Sequence, residues 1–171
     1  MTSIIRVDSI KTAANGTATA ASLGIGGTGK IGQIVQASDD SQTSLTSTSY
    51  VDTGLSATIT PSSTSSKVLI MWNNQLKTTT GTSNNILAVI RTLRGSSEVG
   101  GGTKMRTDGF TGENGFTSSY AFLDSPSTTN ATTYKTQGKL DTSGSGRILF
   151  TDISDGGIVA ASHIVLMEIL A

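Results

Sequence analysis

The residues able to do chemistry are few and poorly spaced for it. His163 is the one histidine of the 171-residue chain, so a hydrolytic relay would have to use it, together with the preceding Ser162. No Gly-x-Ser-x-Gly elbow presents a nucleophile, and with no cysteine a Cys-His pair is excluded. Asp152 and Asp155, ahead of Gly156-Gly157, and the adjacent Asp39 and Asp40 lack the acidic alternation of a calcium cage. Such positions suit turns, where Asp bonds its own backbone and Gly takes positive φ. A carboxylate pair for glycoside cleavage is a spatial arrangement and stays open, although no acid is flanked by the aromatic residues of a sugar shelf. Gly24-Ile25-Gly26-Gly27-Thr28-Gly29-Lys30 has the spacing of a phosphate-binding loop, but Ile31 stands where Ser or Thr would hold magnesium. The β-patterned segment that follows is also wrong for such a loop, which opens a helix. Arg91 and Arg94, the densest basic patch, read as a solvated strand end. The expectation is therefore a protein that is not an enzyme, with no catalytic residue, metal site or cofactor.

The composition explains why the chemistry is sparse. Ser, Thr and Gly occur 24, 28 and 20 times and Pro twice, a balance suited to strands and turns. Charged residues make up 14%, with 12 basic against 12 acidic, so no net field attracts nucleic acid or an acidic membrane, and neither is expected as a partner. The opening Met1-Thr2-Ser3-Ile4-Ile5-Arg6 has no basic region followed by a long apolar run, so neither a secretory signal nor a membrane helix is expected.

Residues 1–30 hold one short strand candidate, 4–10, and then a run of small residues that cannot pack a core; they read as an extended arm. From Ile31 onward apolar alternation recurs, and 31–171 reads as one domain. Strand candidates fall at 31–35, 50–51, 55–59, 67–76, 86–93, 104–110, 120–123, 132–140, 147–153 and 162–171. Turns are expected at 80–82, 100–102, 142–146 and 155–157. No stretch keeps the helical period over three turns, so the pattern predicts an all-β antiparallel sandwich of about eight or nine strands. The runs 67–76 and 164–170 are continuously apolar, which predicts central strands covered on both faces. A partner subunit is the simplest cover for the last strand, placing Ile164, Leu166, Ile169 and Leu170 at a homo-oligomer interface of closed cyclic symmetry.

The chain also resembles small virion proteins of tailed bacteriophages. The start, Ile4-Ile5-Arg6-Val7-Asp8-Ser9-Ile10-Lys11-Thr12-Ala13-Ala14-Asn15-Gly16, is similar to theirs. So are Ser49-Tyr50-Val51-Asp52-Thr53-Gly54-Leu55, the Pro61-Ser62-Ser63 turn with its flanking strands, Phe122-Leu123-Asp124-Ser125-Pro126 and Met167-Glu168-Ile169. This resemblance implies a jelly-roll or tumour-necrosis-factor-like sandwich, commonly trimeric, carried by an N-terminal segment that docks onto other phage proteins. Ile4, Ile5, Val7 and Ile10 are then the virion-docking residues. The expected protein is made in the host cytoplasm and resides on the virion, at the capsid or tail surface, as a short tail fibre or spike domain. The Gly-rich stretches 100–115 and 130–138 are the candidate loops for a host surface glycan. Capsid decoration by a cement protein is the neighbouring alternative, and a carbohydrate-binding module with Trp72 or a Tyr exposed, or a glycan hydrolase, is the alternative of another class.

Overall fold

Runs in which every second residue is apolar leave the chain little choice but to pack strand faces together. The computed structural model describes residues 29–79, 85–108, 114–141, 147–150, 154–155 and 158–171. Among the described residues there is no helix and there are twelve strands: β1 (Ile31–Asp39), β2 (Thr43–Leu45), β3 (Val51–Ile59), β4 (Lys67–Thr79), β5 (Asn85–Arg94), β6 (Ser97–Asp108), β7 (Asn114–Asp124), β8 (Thr132–Leu140), β9 (Arg147–Phe150), β10 (Ser154–Asp155), β11 (Ile158–Val159) and β12 (Ser162–Ile169).

Eight of them build two facing antiparallel sheets, β1-β12-β4-β7 and β3-β8-β5-β6. Counted in chain order, these eight lie 1-8-3-6 against 2-7-4-5, the double Greek key of a jelly roll. The thirteen residues of β4 give it room for two partners on one side. β12 pairs along residues 67–73 and β9 along 76–79, with β2 continuing the sheet beyond β9. β10 and β11 pair only with each other. The core is filled by the inward residues of both sheets, among them Leu55, Ile59, Ile70, Leu76, Ile90, Tyr134, Phe150, Ile164 and Leu166. Each such side chain contributes about 1.5–3 kcal/mol by leaving water. The sheets are also joined by a hydrogen bond: Trp72 Nε1 donates to Thr92 Oγ1 at 2.8 Å, both buried.

The all-β sandwich stands, with differences in detail. The two strands expected at 50–51 and 55–59 are one strand, β3 (Val51–Ile59), which shifts register against β8 around Gly54, where φ is 92°. The expected turn at Gly100-Gly101-Gly102 lies inside β6. Gly100 and Gly101 have positive φ, and the register with β5 slips between Arg91 and Thr92, so the glycines make a bulge. A side chain has no room there: a Cβ on Gly100 would overlap the Phe122 ring, and one on Gly102 the Ile90 carbonyl. The reversal falls instead at Gly95-Ser96. Most of the two stretches expected as surface loops is sheet. Residues 100–108 belong to β6, and 132–138 belong to β8, a central strand with Thr132, Tyr134 and Thr136 buried. The arm lies outside the described residues up to Gly29, which with Lys30 already belongs to the sandwich. Gly29 N–H donates to the Leu170 carbonyl at 3.0 Å, and Leu170 N–H to the Lys30 carbonyl at 2.8 Å.

Gly100→Ala is expected to cost about 2–4 kcal/mol in urea unfolding, since it adds backbone strain to a clash with Phe122. Gly95→Ala also has positive φ but open space around the added methyl. It is expected to cost only the strain, about 1–2 kcal/mol.

Candidate functional site

The outward faces of the two sheets differ in chemistry. On β3-β8-β5 most outward side chains are polar and satisfy one another, and Leu87 and Val89 of β5 stand half-buried on the same face. The Thr58 and Thr133 hydroxyls bond at 2.7 Å, Lys135 Nζ and Gln137 Nε2 donate to Asp52 at 2.8 and 2.7 Å, and Arg91 donates to Gln137 and to Glu98. The hydrogen bonds from Lys135 and then Gln137 hold the Asp52 carboxyl below its usual range. Arg91 also lies 3.7 Å over the Tyr50 ring. It is therefore embedded in a network, and the reading of residues 91–94 as a solvated strand end is corrected.

The outward side of β1-β12-β4-β7 carries an apolar cluster, bordered by the polar Ser38, His163, Asn73 and Ser119. Val165, Met167 and Ile169 on β12 alternate with buried neighbours, as do Leu69 and Met71 on β4. Ile34 is 57% and Leu123 50% exposed. This face holds a shallow groove of about 500 Å³ lined by Met71, Asn73, Ser119, Ala121, His163 and Val165, and a second of about 290 Å³ where Lys67, Leu123, Ile169 and Leu170 meet Gly29.

Strand alternation divides the residues singled out in the sequence. Ile164 and Leu166 point into the chain's own core with 0% exposure, so they have no surface to offer a partner; this corrects their placement at a subunit seam. Ile169 stays half-buried on the outward side, where its neighbours are Val165, Met167, Leu69 and Met71, whereas Leu170, just past β12, is half-buried with its side chain on the Glu168 side against Gly32. Ile4, Ile5, Val7 and Ile10 lie outside the described residues, as does Asp152. Ser162 and His163 project to opposite faces: Ser162 is buried and accepts from Gln75 N–H, while His163 is exposed beside Asn73 and Ser38. They make no relay. Among the described residues no three His, Asp or Glu side chains group as metal ligands. Asp39 does turn chemistry, accepting from the Ser41 N–H and hydroxyl. Gly29-Lys30 leads into a strand, as expected for a segment that is no phosphate loop. Trp72 is 2% exposed, which removes it as a sugar shelf.

Two polar anchors went unread in the sequence. Glu168, on the inward side of β12, is 1% exposed. Ser62 N–H and Ser62 Oγ each donate to its Oε1 at 2.6 Å, and Gln33 Nε2 donates to Oε2 at 2.8 Å and to the Thr60 carbonyl at 2.6 Å. Burial alone would raise its pKa; the bonds from Ser62 and Gln33 outweigh this and hold it at about 2. The signal was present, because Glu168 is the acid at an inward position of an otherwise apolar terminal run. At the same end of the sandwich, Asp124 on β7 accepts from Arg94 of β5 and from Tyr134 OH of β8, both at 2.7 Å, linking the sheets. Burial, reinforced by Asp124, pushes the Tyr134 hydroxyl above its usual range.

The fold and these surfaces define the chain as a jelly-roll sandwich. No protein-family model matches it, and no curated protein matches it significantly. Among solved structures it is similar to a chain in the structure of infectious bursal disease virus Gx strain, with 15% identity and a TM-score of 0.38 over 98% of this chain. The similar part spans 42% of that viral chain.

Because the folded pKa of Glu168, about 2, lies below its ordinary 4.5, its stabilisation is present above pH 4.5 and is lost as pH falls through 2. The full shift corresponds to about 3 kcal/mol. Unfolding free energy measured against pH is expected to fall over that window, and Glu168→Gln, less stable at pH 7 by about 2–3 kcal/mol, is expected to flatten the fall.

Proposed function

We propose that this chain is a non-enzymatic structural protein of a bacteriophage particle, a surface domain of the short tail fibre or spike type that self-assembles through the outward face of β1-β12-β4-β7. The contrast between the two sheet faces carries this reading. One face is mostly polar and closes those polar groups on one another, with Leu87 and Val89 half-buried among them. The other leaves Ile34, Leu69, Met71, Leu123, Val165, Met167 and Ile169 exposed or half-exposed in a single chain, and contiguous apolar surface of that kind marks a protein contact. Copies of the same chain are the proposed cover. A closed ring of them hides each face once, and the phage resemblance in residues 4–16, 49–55 and 167–169 supports three copies. Capsid decoration would use the same surface and is the second reading of the particle role.

The purified protein is expected to sediment at about three times 17.5 kDa. Met71→Asp and Val165→Asp, each placing a carboxylate on the apolar face, are expected to give monomers with unchanged circular dichroism. A wild-type monomer would overturn self-assembly as a property of the free protein. Particles lacking the protein separate the two roles: lost adsorption with unchanged heat stability indicates a fibre or spike, and the reverse indicates cement.

A further inference from the structure

We propose that Asn74 binds a structural water inside the core, within a polar row that crosses the inward face of β1-β12-β4-β7. The strand registers place Asp39 of β1, Ser162 of β12, Asn74 of β4 and Ser118 of β7 side by side in that row. The inward rows flanking it are apolar or aromatic: Ala37, Ile164, Trp72 and Tyr120 on one side, Leu76 and Phe116 on the other. Asn74 and Ser162 are each 1% exposed and Ser118 is 8% exposed. The hydroxyls beside Asn74 are engaged within the chain. Ser162 Oγ accepts from Gln75 N–H at 3.1 Å, and Ser118 pairs with Thr103 at 2.7 Å. The asparagine differs from them. Among the described residues neither its Nδ2 nor its Oδ1 has a hydrogen-bond partner, and both atoms are shut off from solvent. At the head of the row Asp39 Oδ2 is likewise buried without a partner among the described residues, beside Gly54, while its Oδ1 accepts from Ser41.

A dry amide in this row gives up its bonds to solvent on folding and recovers none of them. Such a position is better served by an apolar residue of the same shape, and leucine nearly has that shape. The surroundings fit a water. A buried water makes typically about three hydrogen bonds to polar groups. The two ends of the Asn74 amide and the remaining capacity of the Ser118 and Ser162 hydroxyls on its flanks supply them. Serine is also small where the neighbouring row carries Ile164 and Tyr120, which leaves room on both sides of Asn74. The sheet offers an entry as well. β4 pairs with β12 through residue 73 and with β9 from residue 76, so the ladder on that flank is interrupted beside Asn74. This inference does not rest on the assembly proposed above.

The test uses the full chain. A nuclear Overhauser contact between water and the Asn74 side-chain amide protons is expected, with the sign of a water that outlasts surface hydration. Oxygen-17 relaxation dispersion is expected to count at least one long-lived internal water per chain, and Asn74→Leu is expected to remove it. Ser162→Ala, which takes away one partner and leaves the amide, is expected to keep the water and shorten its residence time at least threefold. An unchanged residence time would overturn Ser162 as a partner. An equal count of internal waters in Asn74→Leu would overturn the proposal, and so would the absence of the contact at the Asn74 amide. A crystal structure in which both ends of that amide bond directly to protein groups would overturn it too. If Asn74→Leu does not fold, the contact in the unsubstituted protein decides alone.

Discussion

The insertion of β12 between β1 and β4 is the constraint on which the rest depends. This strand closes one sheet and supplies Ile164 and Leu166 to the core. It also carries Glu168, whose carboxylate holds Gln33, 135 residues away, and Ser62, 106 residues away. These are non-local contacts, so little of the core is complete until the two ends of the sandwich meet. Folds dominated by such pairings form slowly compared with helical bundles. Once β12 is seated, β4 is fixed on both flanks, and Trp72 is aimed across the core at Thr92.

The architecture was legible where alternation is carried by large apolar residues. Leu55-Ser56-Ala57-Thr58-Ile59 and Ile164-Val165-Leu166-Met167 reveal β3 and β12 directly. It was least legible where inward positions carry small or polar residues. On β8 the inward set includes Thr132, Thr136 and Gly138, and on β4 it includes Asn74, so hydropathy alone cannot separate core from surface there. The three glycines of β6 read as a turn because the reason for them lies far away in sequence, in the Phe122 ring and the Ile90 carbonyl. For the site, the apolar character of the last strand was visible but its phase was not. A continuous apolar run does not say which alternate residues face the core, and the reading that used Ile164 and Leu166 as a seam had the phase reversed.

The polar residues have a consistent use across the molecule. With 14% charge, the chain places its ionic side chains where they fasten strands: Asp52 with Lys135 and Gln137, and Asp124 with Arg94 and Tyr134. Groups already satisfied by structural partners are poorly placed to exchange protons with a substrate. The exposed histidine sits on an apolar face beside an amide and a hydroxyl, away from the buried serine next to it in sequence. The same sequence thus builds a sandwich with one mostly polar exterior and one that carries an apolar cluster.

The pairing of Gly29 with Leu170 makes the described chain nearly a ring. The jelly roll is then indifferent to where the polypeptide is cut, provided the cut falls in a surface turn such as Gly95-Ser96. A circularly permuted chain, joined between residues 171 and 29, would keep every strand pairing while moving the free ends along the same end of the sandwich, from the β1-β12 side to the β5-β6 hairpin. The position of the chain ends and the folded body are, in that topological sense, separable.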